Sequence, residues 1–154
     1  MEEAPTHIEL ASVRIGTAQF AVDIMRIREI LVPQPLSPLP RTSELLEGVI
    51  NLRGSVIPVM NMRKRFGMPA VTDGFTGKLL VVTLVGQLLA LAVDDVTDVI
   101  SVPVGDIKAP LQNITGVGME FLLGVCMYQN CVYMILDVDS LLFSQSYEHS
   151  FVFQ

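Results

Sequence analysis

The sequence predicts an all-β protein made of two similar small β units packed together. Three observations carry this. Apolar residues come in short runs rich in Val, Ile and Leu, broken by turn residues, with no long helical periodicity. The run 46–66 reappears without a gap as 122–142. Hydrophobic residues make up 51% of the 154, with a mean hydropathy of +0.52, yet no run reaches the ~20 apolar residues of a spanning helix. The excess apolar surface is therefore expected in sheets and on partners.

The elements follow in order. The short apolar runs predict strands at 9–15, 19–22, 27–32, 48–52, 55–60, 78–85, 88–93, 96–102, 122–128 and 131–136. "VGQ" at 85–87 and "QN" at 129–130 read as hairpin turns. Helices are few and short. Ser43 is a candidate cap for one turn closed by Gly48, Asn61 for "MRKRF" closed by Gly67, and Asp137 or Asp139 for "SLLF". "LVPQPLSPLP" (31–40) holds four prolines and reads as an extended connector. The first five residues and the last several are expected to be loose, with Phe151 and Phe153 available for docking.

The repeat sets "LEGVINLRGSVIPVMNMRKRF" (46–66) on "LLGVCMYQNCVYMILDVDSLL" (122–142). Gly48 falls on Gly124, Val56 on Val132, Asn61 on Asp137 and Phe66 on Leu142. A weaker pair precedes it: "AVD" at 21–23, followed by Ile27, Glu29 and Ile30, and "AVD" at 92–94, followed by Val96, Asp98 and Val99. The simplest organisation is one domain of two β units, about 16–75 and 76–143, with strand 8–15 and the C-terminal turn and tail joining the packing. Units this small are expected to share an interface, and the seam between them to form a groove.

Two asymmetries stand out. Arg53-Gly54 aligns with Gln129-Asn130 at the hairpin apex, so the turn itself does not demand an arginine. Arg53 is either a solvated turn residue or an anchor for a partner or the adjoining unit. Pro58 aligns with Met134 inside a strand, which predicts an edge or bulge, as protection against aggregation or as part of a docking surface.

Chemistry is sparse. The two histidines, His7 and His149, stand far from any rigid-pocket pattern, so general-base catalysis and a Cys-His pair are not expected. "TGVGM" (115–119) lacks the rest of a dinucleotide fingerprint. "DVDSLLFSQSYE" (137–148) has Leu142 where a calcium loop needs glycine. Asp94, Asp95 and Asp98 read as a solvated turn rather than a metal site. Arg63, Lys64 and Arg65 read as a solvated helix face or a charged rim for an acidic partner. A net charge of −6 excludes a basic nucleic-acid footprint. Acids at the start argue against a signal peptide, so Cys126 and Cys131 are expected as free core thiols in a reducing compartment. No cofactor or metal is expected.

"EGVINLRGSVIPVMNMRKRFGMP" (47–69) strongly resembles the signature of the CheW family, the scaffold or coupling proteins of bacterial chemosensory arrays. "FAVDIMRIREI" (20–30), "LALAVDDVTDVISV" (89–102) and "FLLGVCMYQNCVYMILDVDSLL" (121–142) resemble the family's other segments in order. The resemblance implies two SH3-like five-stranded β-barrels, no catalysis, and a cytoplasmic adaptor at membrane-associated arrays. It implies as partners a histidine kinase regulatory domain and chemoreceptor cytoplasmic tips, with ring assembly alongside the kinase or itself, and neither nucleic acid nor membrane insertion. The partner-binding residues it carries over are Ile27, Glu29 and Ile30 of "IREI", Arg53 of "NLRG", and Val96 and Val99 in the second unit; Pro58 joins them from its own asymmetry. Three positions depart from the pattern. Glu47 stands where a basic residue is usual, Asn61 where Asp is usual, and Asp95 where Gly is common. The alternatives are a chemosensory-like pathway controlling pili or another output, and a small β-barrel binding a ligand such as an oligosaccharide in its groove.

Overall fold

The apolar runs fold into ten strands among the described residues, 6–38, 45–69, 77–110 and 117–142 of a computed structural model. They are β1 (His7–Ile15), β2 (Ala18–Asp23), β3 (Ile27–Leu31), β4 (Leu46–Leu52), β5 (Ser55–Asn61), β6 (Lys78–Leu84), β7 (Gln87–Val93), β8 (Asp95–Pro103), β9 (Leu122–Tyr128) and β10 (Cys131–Leu136). Each begins and ends within two residues of its expected bounds. The one α-helical turn, α1 (Met62–Arg65), is capped by Asn61, whose side chain accepts from the Lys64 N–H at 3.1 Å. The Asp137 side chain caps the 3₁₀ turn Val138–Ser140 by accepting from the Asp139 N–H. The expected Ser43 cap and the tail aromatics lie outside the described residues.

The strands form two five-stranded sheets, ordered β8-β1-β2-β10-β9 and β3-β6-β7-β5-β4. Here the expected division near residue 75 needs correction. The second sheet is one continuous stretch, β3 to β7. The first takes β1 and β2 from before that stretch and β8, β9 and β10 from after it. The sequence repeat survives, as β1–β5 and β6–β10, but each repeat has given its leading hairpin to the other's sheet. The exchanged hairpins are held by parallel pairing. Met134 and Ile135 of β10 lie opposite Phe20 and Ala21 of β2, and Val59, Met60 and Asn61 of β5 lie opposite Ala90, Leu91 and Ala92 of β7.

Both sheets close on themselves in the same way. After β3 the chain crosses to the far edge, where Ser37 and Val49 exchange backbone hydrogen bonds of 2.9 and 2.8 Å. After β8, Lys108 and Val125 do the same at 2.8 Å each. The aligned glycines sit one residue before these contacts. A Cβ at Gly48 would lie 2.6 Å from the Ser37 carbonyl oxygen, and one at Gly124 would lie 2.7 Å from that of Lys108.

Closure creates three cores. Leu10, Ala21, Ile100, Val102, Cys126 and Ile135 fill the first sheet. Ile50, Ile57, Val59, Leu79, Val81 and Ala90 fill the second. The opposite faces of both sheets meet in a shared core containing Val13, Phe20, Val22, Met60, Leu80, Val82, Leu91, Met134 and Leu136. Strands buried on both faces cannot alternate with polar residues, which explains the continuous apolar runs "LLVV" and "LALAV". Phe66, just beyond α1, stacks on Phe20 with ring centroids 5.3 Å apart, bringing the two sheets together.

Two side-chain expectations change. Pro58 lies on an interior strand, not an edge, since β5 runs between β4 and β7. Its partner Val49 spends both backbone groups on Ser37, so no ladder bond to β4 is lost, and pairing with β7 begins only at Val59. Of the two thiols only Cys126 is core; Cys131, just past the turn, is exposed. Burial, with the nearby Asp106 charge, raises the Cys126 thiol pKa. A thiol reagent at neutral pH is therefore expected to label Cys131 rapidly in the native protein and Cys126 only on unfolding; equal labelling rates would contradict this placement.

Candidate interaction surface

β3 and β8 are equivalent in the two sheets, and each carries a β-bulge. In β3 it falls between Ile27 and Glu29, and in β8 between Val96 and Val99. The extra residue brings Ile27 and Ile30 to the same face of β3, opposite Val82 and Leu80. It likewise brings Val96 and Val99 to one face of β8, opposite Val13 and Ala11. That face looks towards the shared core. Ile27 and Val96 pack against this core, whereas Ile30 is 46% and Val99 60% exposed. The predicted apolar site residues thus split into two that support the seam between the sheets and two that continue it into solvent. β6, the neighbour of β3, also lies against β8.

Glu29 points to the other face of β3, opposite Val81. There it accepts from Arg53, at the apex of the β4–β5 hairpin, through both terminal guanidinium nitrogens, Nη1 and Nη2. β3 and β4 are the two ends of their sheet, so this pair bridges the edges where the sheet curls shut. The hydrogen bond to Glu29, with its charge, raises the Arg53 pKa. Arg53 has φ of +50° and Gly54 of +92°, while Gln129 and Asn130 have +50° and +66°. Both central residues of each turn are left-handed, as a type I′ hairpin requires. Two residues that the sequence nominated separately are therefore partners. Pro58 lies instead on the interior strand β5, opposite Val49.

The basic cluster is engaged within the chain rather than free. Arg63 donates Nε and Nη2 to Asp94, the latter at 2.5 Å, and Lys64 meets Glu47 at 3.2 Å. Arg65 donates Nε to the Leu141 carbonyl and lies 4.3 Å from the Phe121 ring centroid. Of the three acids read as a solvated turn, Asp98 is exposed, but Asp94 and Asp95 are held by this chain. Asp94 also accepts from the Gly16 N–H at 3.0 Å, and Asp95 accepts from Lys78 at 2.9 Å. Burial alone would raise the Asp94 pKa, but the Arg63 and Gly16 hydrogen bonds, with the Arg63 and Arg14 charges, hold it below the ordinary carboxylate value. A further bidentate pair, which sequence reading missed, joins Arg26 to Asp139 at 2.6 and 3.1 Å. Opposite charges separated by over a hundred residues leave no local pattern to find. No helix among the described residues is long and apolar enough to cross a membrane.

The CheW-like domain model matches residues 9–146. The chain belongs to this family. The chemotaxis protein CheW of Treponema pallidum is 30% identical over 141 residues, spanning 89% of this chain and 83% of that protein. That of Rhizobium meliloti is 31% identical over 140 residues, spanning 91% and 90%. The crystal structure of the scaffolding protein TtCheW from Thermoanaerobacter tengcongensis superposes with a TM-score of 0.82 at 26% identity, covering 90% of this chain and 94% of that one. The two sheets are the SH3-like five-stranded subdomains of the CheW-like fold. Two of the three departures from the CheW-like pattern acquire a physical reading. Glu47 and Asp95 each have a lysine of this chain beside them, Lys64 and Lys78, so neither is an isolated reversal of charge.

Proposed function

We propose that this chain is a non-enzymatic adaptor that couples the cytoplasmic tips of chemoreceptors to a chemotaxis histidine kinase in a membrane-associated array. The observation that carries the reading is the pair of exposed apolar side chains, Ile30 and Val99, one from each subdomain, continuing the shared core face into solvent. A packed apolar margin with charged neighbours is the composition of a protein-binding surface rather than of a reaction site. The Glu29–Arg53 pair stands on the opposite face of the same strand and offers a second, charged contact for the kinase regulatory domain.

The test is capture of a receptor cytoplasmic tip and of the kinase regulatory domain. Arg53 is mostly exposed, and an exposed ion pair contributes about 0–1 kcal/mol, so Arg53→Ala should leave the melting midpoint nearly unchanged. An arginine at an interface centre is worth about 2 kcal/mol on truncation, roughly a 30-fold loss of affinity. Gln129→Ala, at the equivalent apex, should alter neither. If Arg53→Ala unfolds the protein, the pair with Glu29 serves the fold. If capture and stability are both unchanged, Arg53 is no partner contact.

A further inference from the structure

The hairpin exchange poses a question of specificity. Each repeat has the strands to close its own sheet. That would pair β5 with β2 rather than β7, and β10 with β7 rather than β2. The apolar ladders discriminate little, because β2 and β7 both close on Ala-Val followed by Asp, at 21–23 and 92–94, and both are buried on two faces.

Charge does discriminate. α1 directly follows β5 and lies on the crossover after β7, where Arg63 meets Asp94 with Asp95 adjacent. The turn Val138–Ser140 directly follows β10 and lies on the crossover after β2, where Asp139 meets Arg26. Arg63 and Asp139 are equivalent positions of the repeat, yet their charges are opposite, and so are those of the groups they meet. In the unexchanged arrangement Asp137 and Asp139 would face Asp94 stripped of Arg63, with Asp95 beside it still paired to Lys78, an acid end with no cation of its own for Asp94. Arg63 would face Arg26, with Asp23 beside it, an end close to neutral. The exchanged arrangement makes both contacts attractive.

We propose that the opposite polarity of the Arg63–Asp94 and Asp139–Arg26 pairs selects the exchanged topology over the one in which each repeat closes on itself. The Arg26–Asp139 pair is the exposed one and is the place to test this. Exchanging its charges, Arg26→Asp with Asp139→Arg, keeps an ion pair in the native arrangement. It also removes the repulsion from the unexchanged one, where residue 139 would now attract Asp94.

The wild type and this double variant are unfolded in denaturant, refolded, and compared by amide NMR correlation spectra. The wild type should return one set of resonances. The variant should return a second set, raised about tenfold or more over any wild-type background, with β10–β7 cross-strand contacts in place of β10–β2. A single wild-type-like set, or extra signals that belong only to unfolded chain, overturns the proposal. If the double variant does not fold, Arg26→Gln with Asp139→Asn removes the same repulsion without inserting a charge. The same two outcomes then decide.

Discussion

Asp94→Ala is expected to destabilise the protein by about 3 kcal/mol and to lower the melting midpoint by roughly 6–12 °C. Asp94 is a largely buried carboxylate serving partners from three places. Arg63 comes from α1, the Gly16 N–H comes from the β1–β2 turn, and Arg14 stands 3.9 Å away. Removing it strands the part-buried Arg63 charge and the Gly16 donor together, and it unties the second subdomain from the first. The folded pKa lies below the ordinary value, so the contribution is complete above about pH 4 and is lost as pH falls through the folded value. The difference between wild type and variant should therefore be full at pH 7 and shrink only in strong acid. Chemical denaturation at pH 7 and in acid measures both. A variant within about 0.5 kcal/mol of wild type at neutral pH would show that the cluster is a solvated surface feature.

Gly48→Ala and Gly124→Ala should each cost about 2–3 kcal/mol, the upper part of the range for overpacking. The atom that each new methyl meets is a backbone carbonyl oxygen at 2.6 or 2.7 Å, not the end of a flexible side chain. Relief requires moving the closing segment, and with it the paired bonds of Ser37 to Val49 or Lys108 to Val125. The two close approaches are nearly equal, but Gly48 also has φ of +155°, so Gly48→Ala should lose somewhat more than Gly124→Ala, whereas Gly54→Ala, with open space at its Cβ, should lose only the backbone cost of a left-handed alanine. Thermal melts of the three variants decide. If the Gly48 and Gly124 variants melt no lower than the Gly54 variant, closure tolerates the extra carbon and the reason for the repeated glycine is wrong.

The strands were legible because a strand is a local object. Short apolar runs, broken by turn residues such as Val85-Gly86 and Gln129-Asn130, mark them. The pairing of strands was not, because β2 against β10 and β5 against β7 are parallel contacts between distant segments. Nothing in either run names its neighbour. The same limit governs the surface. Glu29 and Arg53 were each nominated from their own stretch, yet their ion pair exists only once the sheet curls. Arg63 and Lys64 read as free cations because Asp94 and Glu47 approach through tertiary structure. Pro58 was misread for a related reason: which backbone groups it leaves unpaired depends on Ser37, a residue of the connector. Gly48 and Gly124 did carry a signal. Gly48 was expected to close a turn begun at Ser43, yet it lies inside β4, and Gly124, with which it aligns, lies inside β9, each at a backbone-to-backbone approach.

One subdomain inserted between the parts of the other has a consequence for how the chain leaves the ribosome. All five strands of the inserted sheet have emerged once Val93 is out, so it is free to close during translation. β1 and β2 emerge first and finish last, since their sheet lacks β9 and β10 until Leu136 has been made. At about 5–20 residues per second, the roughly 110 residues between Asp23 and Leu136 leave this oldest hairpin waiting for about 6–22 s. It carries Leu10, Val13, Ile15, Phe20 and Val22, all fully buried in the finished protein. During that interval the partly made chain presents a two-sided apolar hairpin whose fitting partner on the same ribosome does not yet exist. The growing polypeptide, rather than the finished one, is then the form of this molecule most in need of a chaperone.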